Sequence, residues 1–158
     1  MLSINEMKSR LAKPGRIVAI TVRPARRMTP IEIPSVNAIA KRGLEGDHYS
    51  SNGGKRQVTL IMSEHLAAAA SILGLEQLDP PLVRRNIITQ GINLLSLKDK
   101  RFRIGEVLLE YTGECHPCSR MEENLGEGGY NAMRGHGGIT ARILESGMIH
   151  QGDEITLA

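Results

Sequence analysis

The segment Cys115-His116-Pro117-Cys118 contains both cysteines of this 158-residue chain. A C-x-x-C pair can act as a redox dithiol, but such pairs typically adjoin a strand-helix-strand unit, and the pattern here indicates none. A structural zinc site needs four ligands, and neither a second cysteine pair nor a histidine at helical spacing from His136 is present. The third interpretation is that both cysteines are small buried apolar side chains. Taken alone, the segment favours this third interpretation over the other two.

Arg84, Arg85 and Asn86 form a second group of candidate residues. The pattern predicts a strand over 83–89, in which Arg85 would point to the face opposite Arg84 and Asn86. A guanidinium directed into a cleft would suit a phosphate or a carboxylate, to which it can donate two parallel hydrogen bonds. The alternative is an edge strand at the surface.

Two glycine-containing segments could also bind an anion. Arg134-Gly135-His136-Gly137-Gly138 could turn backbone N–H groups toward it, with Arg134 and His136 adding charge or hydrogen bonds. Gly46-Asp47-His48 is a weaker signal, typical of an ordinary turn.

Charge is unevenly distributed along the chain. Residues 1–43 contain nine basic and two acidic side chains, a net charge of +7, whereas the whole chain is at +3 and residues 44–158 are therefore at −4. A basic N-terminal third indicates an anionic partner, or simply a solvated basic face. With three Tyr, one Phe and no Trp, stacking on single-stranded nucleic acid is disfavoured. A small molecule with a phosphate is the other possible anionic partner.

The elements that must position these residues are mostly short strands. β-branched runs predict strands at 15–22 and 56–62, a strand pair over 102–113 broken at Gly105, and a closing β-hairpin over 137–157 with a turn at Gly152-Asp153. Two helices are expected, one over 63–73 with Ser63 as its N-cap and Gly74 as its stop, and a short one over 117–125.

These elements predict a mainly β fold, a strongly twisted, closed or nearly closed β-barrel with a few short helices. The length predicts a single domain over 1–158, with 1–14 as a frayed N-terminal extension. No apolar run approaches the roughly 20 residues that span a bilayer, and no secretory signal is apparent. We therefore expect a cytoplasmic protein with reduced thiols that does not associate with membranes.

Taken in order, several segments resemble the MOSC domain family, named for the C-terminal domain of molybdenum cofactor sulfurases. The resemblance runs from about Gly15 to Leu157 and rests on GRIVAI, GLEGDHY, RQVTLI, RRNIIT, FRIGEVLLEYTGECHPC and GGITARILESGMIHQGDEI. It implies a twisted β-barrel and one functional cysteine, which by position is Cys118, with Cys115 as a passenger. Some relatives hold molybdenum on this cysteine, and others are proposed to carry sulfur on it.

The resemblance also implies a polar pocket for a molybdenum-pterin cofactor. Arg56, Arg85 and Asn86 match strand positions of the family's pocket; Asp47 and His48 lie in the matching GLEGDH turn, and Arg134 and His136 belong to the RGHGG loop. We expect Arg56, Arg85 or Asn86, and His136 to converge on one cleft that exposes Cys118.

Family members that bind this cofactor reduce N-hydroxylated compounds, including base analogues, without pyridoxal phosphate. The leading hypothesis is therefore a molybdenum-dependent oxidoreductase that uses Cys118 and receives electrons from a partner protein. The alternative is a persulfide or metal-sulfur carrier that delivers to another protein. A basic nucleic-acid-binding barrel is the third hypothesis.

Overall fold

The computed structural model describes residues 1–48 and 53–158. Its strands are β1 (Gly15–Val22), β2 (Ile31–Ile33), β3 (Ser35–Ile39), β4 (Gly43–Leu44), β5 (Val58–Met62), β6 (Ile87–Gln90), β7 (Arg101–Ile104), β8 (Val107–Glu114), β9 (Ile139–Glu145), β10 (Gly147–His150) and β11 (Glu154–Leu157). Its α-helices are α1 (Ile4–Lys8), α2 (Ser63–Leu73), α3 (Pro80–Val83), α4 (Ser119–Leu125) and α5 (Gly129–Met133), and Leu94–Leu97 form a 3₁₀ turn. Among the described residues, no helix combines the length and the apolar composition that crossing a bilayer requires.

Seven strands form a closed barrel, which confirms the predicted fold class. Their order is β11-β7-β8-β9-β5-β6-β1, and β1 pairs with β11 to complete the ring, with Gly15 opposite Ile155. β2 extends the sheet beside β1, while β3, β4 and β10 form a separate small sheet. Closure removes most exposed strand edges, which explains how such short strands form a stable sheet.

The apolar core has two parts separated by the barrel wall. Strand β5 is covered on both faces of this wall, because all five of its residues are buried. Leu60 belongs to the cluster inside the barrel, and the next residue, Ile61, belongs to the cluster under the helices. Successive side chains of a strand point to opposite faces, so a strand covered on both sides is mostly apolar, and Thr59 is the single polar residue of β5.

The segment between β5 and β6 differs from the sequence-based prediction. β6 begins only at Ile87, and it runs parallel to β5. Pro80 and Pro81 begin the short helix α3, which ends where Arg84 adopts a left-handed conformation (φ 57°). Arg84, Arg85 and Asn86 therefore lie in a helix-to-strand connection. The chain thus contains a strand-helix-strand unit, β5-α2-α3-β6, that the sequence pattern did not indicate.

The predicted C-terminal hairpin is also wrong. β10 pairs with β3, and β11 pairs with β7 and β1. The turn at Gly152 (φ 93°) is present, but it directs the chain from the small sheet into the barrel. There β11 has a hydrogen-bonded neighbour on both edges, which a hairpin with β10 would not provide.

The two predicted helices are present. α2 covers 63–73 and ends at Gly74 (φ 74°), but its N-cap is Met62 and not Ser63. β5 runs directly into the helix, so its last residue supplies the extended backbone that an N-cap needs. α4 begins immediately after Cys118.

Candidate functional site

A cavity of about 220 Å³ lies where four parts of the chain meet at one side of the barrel. Its walls come from the end of β1, the residues at the start of β5, the connection at 84–86 and the start of α4. Five arginines line it, namely Arg23, Arg56, Arg84, Arg85 and Arg120. Asp47 is the one acidic residue in the described lining, so the cavity is strongly positive.

The two cysteines occupy different environments. Cys118 lines the cavity, is exposed, and occupies the N-cap position of α4 in extended conformation without a side-chain capping bond. Cys115 is 2% exposed, and its backbone N–H donates to the Gly138 carbonyl at 2.8 Å. Both thiols are free. Only Cys118 is positioned to meet a molecule in the cavity.

Asn86 connects the walls of the cavity through its side-chain amide. Its Oδ1 accepts from the Thr59 backbone N–H at 3.0 Å, and its Nδ2 donates to Asp47 Oδ2 at 3.3 Å and to the Thr21 carbonyl at 3.2 Å. Asp47 Oδ1 also accepts from the Arg23 backbone N–H at 2.8 Å. These bonds hold β1, β5 and the turn at Gly46 in fixed relative positions.

Arg85 is a buried cation at the base of this site, with 3% exposure. Its Nε donates to the Gly137 carbonyl at 2.8 Å and its Nη1 to the Val83 carbonyl at 3.0 Å, whereas Nη2 has no hydrogen-bond partner. Burial lowers the pKa of the Arg85 guanidinium; nearby Cys115 opposes this shift, and Arg56 adds to it. A buried guanidinium is costly, and its hydrogen bonds to the two carbonyls offset part of that cost.

Arg84 brings the positive charges of three chain segments together. Burial lowers the pKa of its guanidinium, and repulsion from Arg23 and Arg120 lowers it further, while Cys118 acts in the opposite direction. None of the ion pairs within 1–48 and 53–158 involves Arg23, Arg84 or Arg120. An anion beside Cys118 would relieve this repulsion.

The structure brings five of the eight candidate residues from the sequence to this cavity, namely Asp47, Arg56, Arg85, Asn86 and Cys118. The other three are not in its described lining: His48 and Arg134 are exposed, and the His136 ring packs against His65. The expectation that His136 would converge on the cleft is therefore wrong. Its Nδ1 lies 3.0 Å from the Ala132 carbonyl, which holds the ring on α5.

The RGHGG loop has a steric role in the fold. A Cβ at Gly137 would lie 2.0 Å from the Cys115 carbonyl oxygen, and one at Gly138 would lie 1.9 Å from the Leu60 carbonyl oxygen. No other residue could approach these carbonyls as closely. The glycines thus allow Gly137 to present its carbonyl to Arg85.

His65 and His136 form a close pair, with ring centroids 4.9 Å apart. The pKa of His65 is lowered from 6.5, mainly by burial and then by His136, with Glu64 opposing the shift. An unfolded chain takes up this proton as the pH falls through about 6.5, whereas the folded chain resists it. The stability contributed by neutral His65 is therefore complete above that pH and is lost below it.

We expect His65→Gln to reduce the fall in melting temperature between pH 7 and pH 5. Thermal unfolding followed by circular dichroism at several pH values measures this, with His150→Gln as the control at an exposed histidine outside the pair. A His65→Gln protein with the wild-type pH dependence would contradict the assignment.

Several cavity residues were not recognised in the sequence. No sequence motif marked Arg23, Thr21 or Thr59. Arg84 was assigned to the face opposite Arg85. The net charge of +7 in the first 43 residues was the available signal for Arg23. Among the described residues, no group of three or more His, Cys, Asp or Glu side chains could hold a metal ion.

Comparisons with known proteins agree with this architecture. The structure resembles the YUAD protein from Bacillus subtilis, with TM-score 0.79, 18% identity and coverage of 90% of this chain and 94% of that one. It also resembles YiiM from Geobacillus stearothermophilus, with TM-score 0.74, 19% identity and coverage of 92% and 75%, and YiiM from Escherichia coli, with TM-score 0.69, 18% identity and coverage of 90% and 69%. At these identities the likeness concerns the fold. A comparison with curated protein sequences found no match.

The family-level comparison is more specific. The MOSC domain model matches residues 46–156, which include the turn at Asp47, the connection at 84–86 and the segment with both cysteines. This chain belongs to the MOSC domain family.

Proposed function

We propose that the cavity beside Cys118 binds a molybdenum-pterin cofactor and that the protein uses it to reduce N-hydroxylated compounds. The observation that carries this proposal is an exposed thiol in a cavity lined by five arginines and one carboxylate. Thiolates are good ligands for soft or highly covalent metal centres. Arginine forks suit the cofactor's phosphate.

The residues present fit such a cofactor. The described residues contain no set of three or more metal-binding side chains, so a metal would need a carrier that brings most of its own ligands, and Cys118 would add one sulfur. Arg23, Arg84 and Arg120 would neutralise the phosphate. The cavity, at about 220 Å³, is smaller than the roughly 300–1,000 Å³ of sites that enclose drug-sized ligands, so part of the cofactor would remain outside it.

When bound, the cofactor would supply a metal centre that exchanges electrons and an oxygen atom with the substrate. Reduction of an N-hydroxyl group to an amine consumes electrons and protons and releases water, so an electron-donating partner protein is required. The one carboxylate in the described lining, that of Asp47, accepts hydrogen bonds from the Arg23 backbone N–H and from Asn86 Nδ2, so it is not free to act as a proton donor. Protons would therefore come from solvent at the open side. A reducing cytoplasm would keep Cys118 as a thiol.

A persulfide carrier is the second candidate function. It is favoured by the exposure of Cys118, because a carrier thiol must reach a donor and an acceptor on other proteins. The nearby arginines would stabilise the anionic persulfide. This function requires neither molybdenum nor a pterin.

The protein purified from a molybdenum-replete host should contain stoichiometric molybdenum and pterin, measured by mass spectrometry of the metal and fluorescence of the oxidised pterin. The double variant Arg84→Gln/Arg120→Gln should lose at least about nine-tenths of both, since each charged hydrogen bond to phosphate contributes roughly 1.5–3 kcal/mol. Arg26→Gln, at an exposed arginine that does not line the cavity, is the matched control. Labile sulfane sulfur without metal would replace this proposal with the carrier function.

A further inference from the structure

A second cavity of about 190 Å³, which we call the outer groove, adjoins the Cys118 cavity. Pro30, Arg84 and Arg120 line both. The far part of the outer groove is formed by the 27–30 segment, by α3 and by Asn124 of α4. A molecule in the groove would therefore contact Arg84 and Arg120, which also line the space beside Cys118.

The lining of the outer groove combines positive charge with apolar surface. Three arginines, Arg27, Arg84 and Arg120, line it, and no acidic residue of the described chain does. Met28 and Leu82 also line it, and they are 50% and 39% exposed. The groove thus presents cations for an anion and apolar side chains for a hydrocarbon or aromatic body.

The backbone at two of these arginines is held in an unfavourable conformation. Arg27 has φ 68° and Arg84 has φ 57°, and only two other described non-glycine residues have positive φ. For residues with a Cβ the left-handed region is disfavoured, and it persists where surrounding structure enforces it, often at ligand sites. Both strained arginines line the outer groove.

α3 and α4 are held together on the other side of the groove. Asn124 Nδ2 donates to the Leu82 carbonyl at 2.9 Å, which leaves the Asn124 carbonyl oxygen and the Leu82 side chain for other contacts. This bond fixes the distance between the two helices. The wall formed by α3 and α4 is therefore held by a hydrogen bond, which reduces the ordering cost of binding on that side.

We propose that the outer groove binds the substrate, an anion with an apolar body, whose phosphate or carboxylate group pairs with Arg27. The apolar body lies against Met28 and Leu82, and the opposite end of the substrate passes Arg84 and Arg120 toward Cys118. This inference deepens the proposed function and rests on it for the role of the ligand as a substrate. What is added is the chemical class of the substrate, an anion with an apolar body.

The first test is calorimetric titration of the full chain with hexyl phosphate, hexanoate and inorganic phosphate. We expect at least one of the two amphipathic anions to bind about tenfold more tightly than inorganic phosphate, because its hydrocarbon chain leaves water on binding. The preferred headgroup shows whether the groove selects phosphate or carboxylate. If inorganic phosphate binds as tightly as both, the apolar part of the proposal is wrong.

The second test uses two adjacent arginines of equal charge. Arg27→Gln should weaken binding of the amphipathic anion by about tenfold or more, whereas Arg26→Gln, which is exposed and outside the groove, should change it by less than about twofold. Equal weakening by both variants would show a general charge effect and overturn the site. Leu82→Asn should weaken the amphipathic anion and leave inorganic phosphate unchanged.

The molybdenum content of the same preparations separates the two proposals. Arg27-dependent binding in a protein that takes up no molybdenum would overturn the cofactor hypothesis and keep the anion site. Stoichiometric molybdenum together with wild-type affinity in Arg27→Gln would keep the cofactor hypothesis and overturn the outer groove.

Discussion

Cys118→Ala protein, produced in a molybdenum-replete host, is expected to contain no molybdenum or pterin above background. Cys118 is the exposed thiol that lines the arginine-rich cavity, and alanine removes the sulfur without adding bulk or charge. Losing one metal ligand removes the bond that anchors the cofactor to the protein, so we expect a loss of at least about a hundredfold in affinity. Metal analysis and pterin fluorescence measure it.

Cys115→Ser is the matched control. Cys115 is 2% exposed, and serine preserves its approximate size. A serine hydroxyl at this position can also accept a hydrogen bond, which the nearby Arg85 Nη2 lacks. We expect this variant to keep most of its cofactor. Loss of the cofactor from Cys115→Ser alone, with Cys118→Ala unaffected, would exchange the roles of the two cysteines.

The same pair of variants can be compared without any cofactor. In the native protein, the thiol that remains in Cys115→Ser should react with iodoacetamide at least about a hundredfold faster than the one that remains in Cys118→Ala. Modification of the buried Cys115 requires local opening of the structure. Intact-mass measurements over time give both rates. Equal rates would mean that the burial of Cys115 does not protect it.

Arg85→Met is expected to lower the free energy of unfolding by about 3 kcal/mol. The side chain donates to the Val83 and Gly137 carbonyls, and each buried carbonyl left without a donor costs roughly 1–3 kcal/mol. Methionine has a similar length and avoids burying a charge, which offsets part of this cost. The orphaned carbonyls outweigh that gain because methionine supplies no donor. For a chain of this length we expect a melting temperature lower by about 6–12 °C.

The neighbouring arginine provides the control. Arg84 lines the same cavity, carries the same charge, and has no carboxylate partner among the described ion pairs. Arg84→Met should therefore change the free energy of unfolding by no more than about 0.5 kcal/mol while weakening anion binding about tenfold. Urea denaturation and calorimetric titration measure these effects. Equal stability of the two variants would show that the Arg85 hydrogen bonds contribute little.

The sequence by itself determined the local elements of this protein. Runs of β-branched residues between glycine turns predicted β1 and the β7–β8 pair, and an alanine-rich run that ends at Gly74 predicted α2; the structure has all of them. These features depend on interactions between residues close in the chain, which is why a single sequence contains the information. A short helix was also predicted after Cys115, over 117–125, but α4 begins two residues later, at Ser119.

The sequence-based prediction was wrong where the strand preference of one segment competed with the helix preference of the segment before it. The apolar residues after Arg85 favoured a strand over 83–89, but Pro80 and Pro81 begin a helix that ends only at Arg84. Once Arg84 takes a left-handed conformation, strand alternation no longer applies, and Arg84, Arg85 and Asn86 all line one cavity. The sequence indicated the right residues and the wrong geometry.

Strand order and the composition of the site were decided only by tertiary structure. β11 closes the barrel against β1, and β10 joins β3 in another sheet, although β10 and β11 are neighbours in the chain. That choice depends on hydrogen bonds and burial among segments far apart in sequence, for which local preferences carry no information. For the same reason, the meeting of Arg23 with Arg84 beside Cys118 follows from the pairing of β1 with β6, in which the Thr21 backbone N–H donates to the Asn86 carbonyl at 2.7 Å.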